Sequence, residues 1–535
     1  MGKFKIEYFV FFITLLLFCI AMSFVVNVPD YDLWARLIVG KHFFQTGMLL
    51  KHDIFSYTPT HFWFDHEWGA SVIYYAVFKF FGPIGLTVAK GVISFIILLF
   101  VSETVKLKYG PKPLYAMLLF CVFVYLACYD CFSATIRCHM FSFLFFSAWL
   151  YCLERYRNGD KKLLFYLPFS MILWANIHGG CVSGIGLLLL YALGEFLNKK
   201  SYKDYLVAAL LSGLATFINP FGPKYVLFLI QATTMKRPLV TEWLSTFNPI
   251  YVGKYLKFKA FMLLMLVAPL PKFISVARTW RKEDALISQR NIFKKIAEYY
   301  ETVDKTKFLV LASTLTLAIM HIKHQPFFVI AAAVFLYEEF TKLFEGMSVP
   351  NPDIPKGVVR RQIVMTYVLL FMIAVVTLQF VDKRIKISQY KYPIFSIEFL
   401  KVNHIKGNLF INFPYGSYAI YKLYPNNLVE IDGRYEEVYY PELLNELKDF
   451  YMVKTKNWKK IITDYKTDVI IVENTYPVFR KLAVDNDWRM IFQDADFSVF
   501  VPKNKVADKY KYPASKLDYY EKTQFDTSID FIQKK

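Results

Sequence analysis

Val28-Pro29-Asp30-Tyr31-Asp32-Leu33-Trp34-Ala35-Arg36 follows directly on an uncharged, mostly apolar run from Tyr8 to Val26. That run is long enough to cross a bilayer, which takes about 20 apolar residues. Lys3 and Lys5 precede it, and no small-residue cleavage site follows, so it reads as a retained span rather than a signal peptide. Two carboxylates then stand at the membrane surface beside Trp34 and Arg36. Further on comes a second charged group between aromatics, Phe64-Asp65-His66-Glu67-Trp68. Charges in such places either line a site or cap a helix and wet a loop.

The remainder of the 535 residues fixes the class. The chain is 56% hydrophobic and 19% aromatic, a membrane composition, with apolar runs recurring to about residue 380. Beyond Phe380 the sequence is mixed, charged and Tyr-rich. The expected architecture is an α-helical polytopic membrane region, 1–380, with a first outer loop at 27–82, followed by a soluble α/β domain at 381–535. About eleven spans are expected, near 8–26, 84–101, 114–130, 139–154, 163–177, 181–197, 205–219, 258–276, 307–321, 325–341 and 362–380. Residues 67–81 are too short to cross and read as an interfacial or re-entrant helix. In the soluble part, 409–413, 428–432, 468–472 and 497–501 read as strands, and 441–465 and 479–485 as helical.

The net charge of +20 is explained by topology, because Lys and Arg collect in cytoplasmic loops. Lys106, Lys108 and Lys112, then Arg155, Arg157, Lys161 and Lys162, then Lys199, Lys200 and Lys203 fall in alternate loops. The same holds for Arg278, Arg281, Lys282, Arg290, Lys294 and Lys295, and for Lys342, Lys356, Arg360 and Arg361. With the N-terminus cytoplasmic, an odd span count puts 381–535 outside the cell. Anionic membrane lipids are natural partners of such loops. Nucleic acid is not, since the cations are scattered between spans rather than striped on one face. The seven cysteines all lie in or beside apolar runs and read as small buried hydrophobes, Cys128 and Cys131 included.

Each candidate has two readings. Asp30 and Asp32 are placed to act as a general base or to ligate a divalent cation. Equally, Asp30 caps an interfacial helix running to about Gly47. Asp65, His66 and Glu67 can bind a metal, orient a sugar or share protons; the alternative is another helix cap. His178, in Asn176-Ile177-His178-Gly179-Gly180, ends a span where an ionisable group is expensive unless it faces a cavity. His321, Lys323 and His324 form a tight turn before Gln325-Pro326, suited to a lipid phosphate or to interfacial snorkelling. Glu430-Ile431-Asp432-Gly433-Arg434 reads as a structural turn. No GxGxxG, Walker A, HExxH or GxSxG pattern occurs, so nothing supports a soluble nucleotide-sugar donor.

Taken together, these motifs resemble the polytopic glycosyltransferases of the GT-C superfamily. Asp32-Leu33-Trp34 with the downstream Gly47 is similar to the first acidic loop of oligosaccharyltransferase catalytic subunits. Asp30-x-Asp32-Leu33-Trp34 with Gly40, Asp53, Phe55-Ser56-Tyr57-Thr58 and Asp65-His66-Glu67-Trp68 looks still more like a group of bacterial membrane proteins placed in that superfamily. Asn176-x-His178-Gly179, Asn219-Pro220 and Ile431-Asp432-Gly433-Arg434 fit the same group. Three positions depart from it: Ala35 and Arg36 stand where a second Trp and a His are usual, and Lys323 where an Arg is common.

The resemblance implies an integral membrane enzyme of the bacterial inner (cytoplasmic) membrane. It would move a hexose or pentose from a polyprenyl-phosphate or -diphosphate carrier to an external glycan, lipid or protein acceptor, with inversion. Asp32, with Asp30, would be the base or the ligand of a divalent cation (Mg or Mn). Asp65, His66 and Glu67 would line the same cleft with Trp34, and Arg36, His178, Lys323 and His324 would meet the donor phosphate. Two other classes compete: a transporter or flippase of a lipid-linked or anionic solute, and a membrane-anchored interaction protein.

Overall fold

The computed structural model describes residues 2–132, 136–235, 240–284, 299–345, 356–381, 385, 387 and 391–511. Of the loop cations named above, Arg290, Lys294 and Lys295 lie outside the described residues. The chain divides into two compact units, one of 1–26, 88–134 and 138–381, the other of 27–87, 135–137 and 382–535.

The first unit is helical. Among the described residues five helices are long and apolar enough to cross a membrane: Ile6–Val25, Trp68–Tyr109, Gly179–Leu197, Leu256–Val276 and Ile363–Phe380. Leu114–Ala127 and Ile322–Phe335 are apolar but shorter. Length and composition therefore do not give the expected eleven spans. Lys203–Ala215 has 13 residues, Lys305–Met320 has 16, and His139–Arg157 ends in Glu154, Arg155 and Arg157. Small residues let these helices meet closely. A Cβ on Gly91 would stand 2.7 Å from the Ile20 Cα, and one on Gly194 would stand 2.4 Å from the Thr306 Cα.

The run Trp68–Tyr109 is two helices. Gly82 adopts φ 65° and ψ −164°, and Pro83 follows it. That φ favours glycine, and the proline removes a ladder donor. The break falls between the segments that the sequence separates at 67–81 and 84–101.

The second unit is built on a five-stranded sheet in the order β2-β1-β3-β5-β4. The strands are β1 (Gly407–Ile411), β2 (Asn427–Val429), β3 (Val469–Glu473), β4 (Trp488–Gln493) and β5 (Phe497–Pro502). β1 runs parallel to β2 and β3, whereas β5 is antiparallel to both β3 and β4. The continuous apolar run of β3 suits a strand in the middle of the sheet, covered on both faces. Phe413–Leu423 makes the crossover from β1 to β2. The stretch after the first span belongs to this unit. Tyr57 N donates to Val429 O at 3.0 Å and Val429 N to Phe55 O at 3.0 Å, so residues 55–57 pair with β2. Helix Tyr31–Thr46 packs on helix Phe413–Leu423. β2 stops at Val429, short of the expected 432. The Glu430 carboxylate turns in to accept from Ile411 N at 3.0 and 2.8 Å.

Candidate active site

Helix Tyr31–Thr46 starts as a capped helix should. Asp30 is extended, and its Oδ1 accepts from the Asp32 amide at 3.1 Å. Gly47 closes the helix in the left-handed region at φ 69°. The cap is also an ion pair, because Arg137 donates to Asp30 Oδ2. One turn on, the buried Arg36 reaches Asp65 at 2.6 Å and Glu67 at 3.2 Å, with Glu437 at 3.9 Å. Asp65 in turn accepts from the Glu67 amide at 3.0 Å, capping the helix that begins at Trp68. His66 Nδ1 lies 3.2 Å from Glu437 and its Nε2 3.8 Å from Glu67. Trp63 Nε1 donates to the other Glu437 oxygen at 2.8 Å. A second buried knot lies beside these. Arg434 binds Asp53 at 2.8 Å and Asp432 at 2.8 Å while its guanidinium lies over Phe55 and Trp63. Ser417 and Tyr439 also donate to Asp432.

Asp30, Asp53, Asp65, Glu67, Asp432 and Glu437 are thus all ion-paired. Asp32 is the exception: among the described residues its partly buried carboxylate makes no ion pair and accepts no hydrogen bond. It stands against Gly433, where a Cβ would come within 2.9 Å of Asp32 Oδ1. Burial first, then the charges of Asp30 and Glu67, hold its carboxyl well above the usual carboxylate range, against the opposing pull of Arg137 and Arg36. For His66, burial opposes the charge, but the Glu437 charge and hydrogen bond, helped by Glu67, raise the imidazole to about 9. Glu437 is correspondingly held below its ordinary value, its own burial opposing. Burial raises Asp65 in spite of Arg36. The cluster is therefore a fixed frame of paired charges around one carboxylate that is partly solvated and unusually basic.

The structure brings Asp30, Asp32, Arg36, Asp65, His66 and Glu67 into one unit, with Gly433 of the expected turn, and adds Arg137 and Glu437, which the sequence reading did not select. A single Arg between apolar spans, in Ile136-Arg137-Cys138, is the signal that points to the first. Trp34 is fully buried, donates to the Tyr392 hydroxyl at 3.3 Å and packs on Tyr418 and Tyr421, so it anchors the helix that carries Asp32. Arg36 is likewise held, by carboxylates.

His178, Lys323 and His324 belong to the helical unit. His178 Nδ1 accepts from Gly180 N at 2.9 Å and lies 2.7 Å from Ser142 Oγ, so the ring fixes the turn after helix Tyr166–Ile177. The Lys323 ammonium sits 3.4 Å from the centre of the Trp243 ring, which His321 and His324 also touch.

Among the described residues no three His, Cys, Asp or Glu side chains are grouped to hold a metal ion. Asp30 is engaged by Arg137 and the Asp32 amide, and Asp65 by Arg36. This donor set does not fit a resident Mg or Mn.

No family model and no curated protein matches the sequence. Solved structures do. The oligosaccharyltransferase of Archaeoglobus fulgidus in its apo form superposes with a TM-score of 0.59 at 8% identity, covering 87% of this chain and 69% of that one. Its complex with an inhibitory peptide and a dolichol-phosphate gives 0.53 at 10% identity, over 88% and 70%. Its complex with Zn and sulfate gives 0.52 at 8% identity, over 86% and 68%. ArnT from Cupriavidus metallidurans bound to undecaprenyl phosphate gives 0.53 at 10% identity, over 93% of this chain and 98% of that one. The chain therefore shares its fold with these solved structures.

Proposed function

We propose that this chain is a membrane glycosyltransferase that moves a sugar from a polyprenyl-phosphate or -diphosphate carrier to an external acceptor, with Asp32 as the general base. The observation that carries the reading is the state of Asp32. It is the one carboxylate of its cluster without an ion-pair partner among the described residues, and its proton affinity is raised. A base works best when its pKa approaches the operating pH, so the raised value favours proton transfer at neutrality. The fold supports the substrate class, since structures sharing it hold dolichol-phosphate and undecaprenyl phosphate.

In the proposed step Asp32 takes the proton of an acceptor hydroxyl or amide. The freed lone pair attacks the anomeric carbon as the bond to the carrier oxygen breaks and the carrier phosphate leaves with the electron pair. A single displacement inverts the anomeric centre. Asp30, Arg137 and the Arg36 cluster hold the helix end that presents Asp32. The alternation of basic loops along the sequence supports a cytoplasmic N-terminus and an external 381–535, in a bacterial inner membrane.

The test is an assay of detergent-purified full-length protein against a panel of polyprenyl-linked sugars, with and without divalent cation, beside Asp32→Asn. Transfer by the wild type and its loss in the variant are expected. Solute flux into sealed vesicles without transfer would overturn the reading in favour of a transporter.

A further inference from the structure

Helices Tyr166–Ile177 and Lys203–Ala215 of the helical unit pack together and, with the turn Lys161–Phe165, enclose a groove of about 590 Å³. That volume lies within the range of small-molecule pockets, about 300–1,000 Å³. The wall is apolar: Phe169, Ile172, Val207, Leu211 and Ile218 run along it. Phe165 and Phe169 at its rim are 73% and 69% exposed, so the groove opens sideways rather than into the core. From Asp204 to Ala215 it follows a helix for roughly 17 Å at about 1.5 Å per residue. That exceeds half of a hydrocarbon core of roughly 30 Å, the depth of one leaflet.

The two ends differ in charge. Lys161 and Asp204 line one end, and no charged residue lines the other. Asp204 accepts a hydrogen bond from Tyr156, which turns that carboxylate toward the neighbouring helix. Asp160, the nearby acid, is held by Arg155 at 2.6 Å. Lys161, Lys162 and Lys203 are exposed and make no ion pair or hydrogen bond among the described residues. An apolar slot lined at one mouth by Lys161, with the exposed Lys162 and Lys203 next in sequence to the lining residues Lys161 and Asp204, is complementary to a ligand with a long hydrocarbon tail and an anionic head.

We infer that this groove is a binding site for an anionic glycerophospholipid, one acyl chain lying along Phe169, Val207 and Leu211 and the phosphate at Lys161, Lys162 and Lys203. The sideways opening favours a bulk bilayer lipid, which arrives by lateral diffusion. The inference rests neither on Asp32 nor on the transferase reading.

Full-length protein stripped of lipid in detergent is titrated with phosphatidylglycerol or with phosphatidylcholine of the same chains. Retained lipid is read by native mass spectrometry and stability by thermal unfolding. The wild type is expected to retain phosphatidylglycerol in preference and to unfold at higher temperature with it. The triple variant K161Q/K162Q/K203Q should lose at least roughly tenfold of that preference, because each surface cation adds to the attraction. Leu211→Trp, which fills the slot at a half-exposed position, should retain less of both lipids. Equal retention of the two lipids by the wild type would overturn the inference. So would a preference that survives the triple substitution, or displacement of phosphatidylglycerol by undecaprenyl phosphate at equimolar concentration. Should Leu211→Trp fail to fold, the surface lysine variant decides alone.

Discussion

Gly433 backs directly onto Asp32: a side chain at 433 would begin 2.9 Å from the Asp32 Oδ1 and 3.6 Å from the Ser417 Oγ. The absence of a Cβ in the Asp432-Gly433-Arg434 turn is what leaves room for the unpaired carboxylate. The obstruction in Gly433→Ala meets the far end of a side chain rather than backbone, so the fold should accommodate it while Asp32 moves aside. Displacing a reacting group by about 1 Å can cost roughly a hundredfold in rate. Gly433→Ala is therefore expected to unfold near the wild-type temperature and to lose between about tenfold and a hundredfold in kcat. Unchanged turnover in a lipid-linked sugar assay would detach Gly433 from the chemistry.

Asp32→Asn separates activity from stability. Removing a well-placed base typically costs about 10²- to 10⁴-fold. The stability effect has the opposite sign. Because the folded carboxyl holds its proton more tightly than an ordinary Asp, its stabilising contribution is complete only below the unfolded value of about 3.9. It is lost as pH rises through the folded value. At pH 7, above the unfolded value, keeping Asp32 in the fold costs stability, and the neutral amide carries no such cost. The variant should melt at or above the wild-type temperature, as differential scanning at that pH would show. A large fall in melting temperature would make Asp32 a structural residue.

The local half of this site is legible in the sequence. Asp30 and Gly47 announce a capped helix, Asp468–Val472 announces a buried strand, and the two acidic clusters stand out against apolar flanks. The partners are not legible. Arg137 is 107 residues from Asp30, and Glu437 is more distant still from His66, and no local pattern encodes such pairings. Helix Phe413–Leu423 also escapes, because Pro414, Gly416 and Ser417 are weak helix formers. Tertiary packing overrides that propensity: a Cβ at Gly416 would meet Ile431 O at 2.2 Å, so the glycine permits the helix to approach the turn. β4 is missed because Arg489 and Met490 are both exposed and break the alternation of an edge strand. The surroundings of Trp34 are equally hidden in the sequence, where it stands beside a carboxylate: in the fold it fills the space among three tyrosines.

His66 and Glu437 form a pH-sensitive brace. Since the folded imidazole titrates at about 9 against an ordinary 6.5, its contribution to stability is complete below about 6.5 and lost as pH rises through about 9. In Glu437→Gln the leading attraction disappears and burial, which favours the neutral ring, remains. The alkaline loss of stability should then move to lower pH and shrink. Melting temperatures of wild type and variant from pH 6 to 10 would show two separated curves. Coincident curves would mean that the ion pair does not form in solution.

Arg137 offers the sharpest separation of electrostatics from scaffolding. It binds Asp30 and lowers the proton affinity of Asp32, partly offsetting the effects of burial and of the Asp30 charge. Arg137→Gln removes that offset, so Asp32 should hold its proton to higher pH still. The acid limb of the kcat profile, where the base must be ionised, then moves upward. Below the limb the variant is slow, and above it the rate climbs back toward wild type as Asp32 ionises. Arg137→Lys keeps the charge and should hold the limb near its original position. A merely structural arginine would give a different pattern: Arg137→Gln would depress kcat by a constant factor at every pH, and Arg137→Lys, which lacks the planar fork, would fail alongside it. Recording both profiles for the full-length protein with one lipid-linked donor decides between the two.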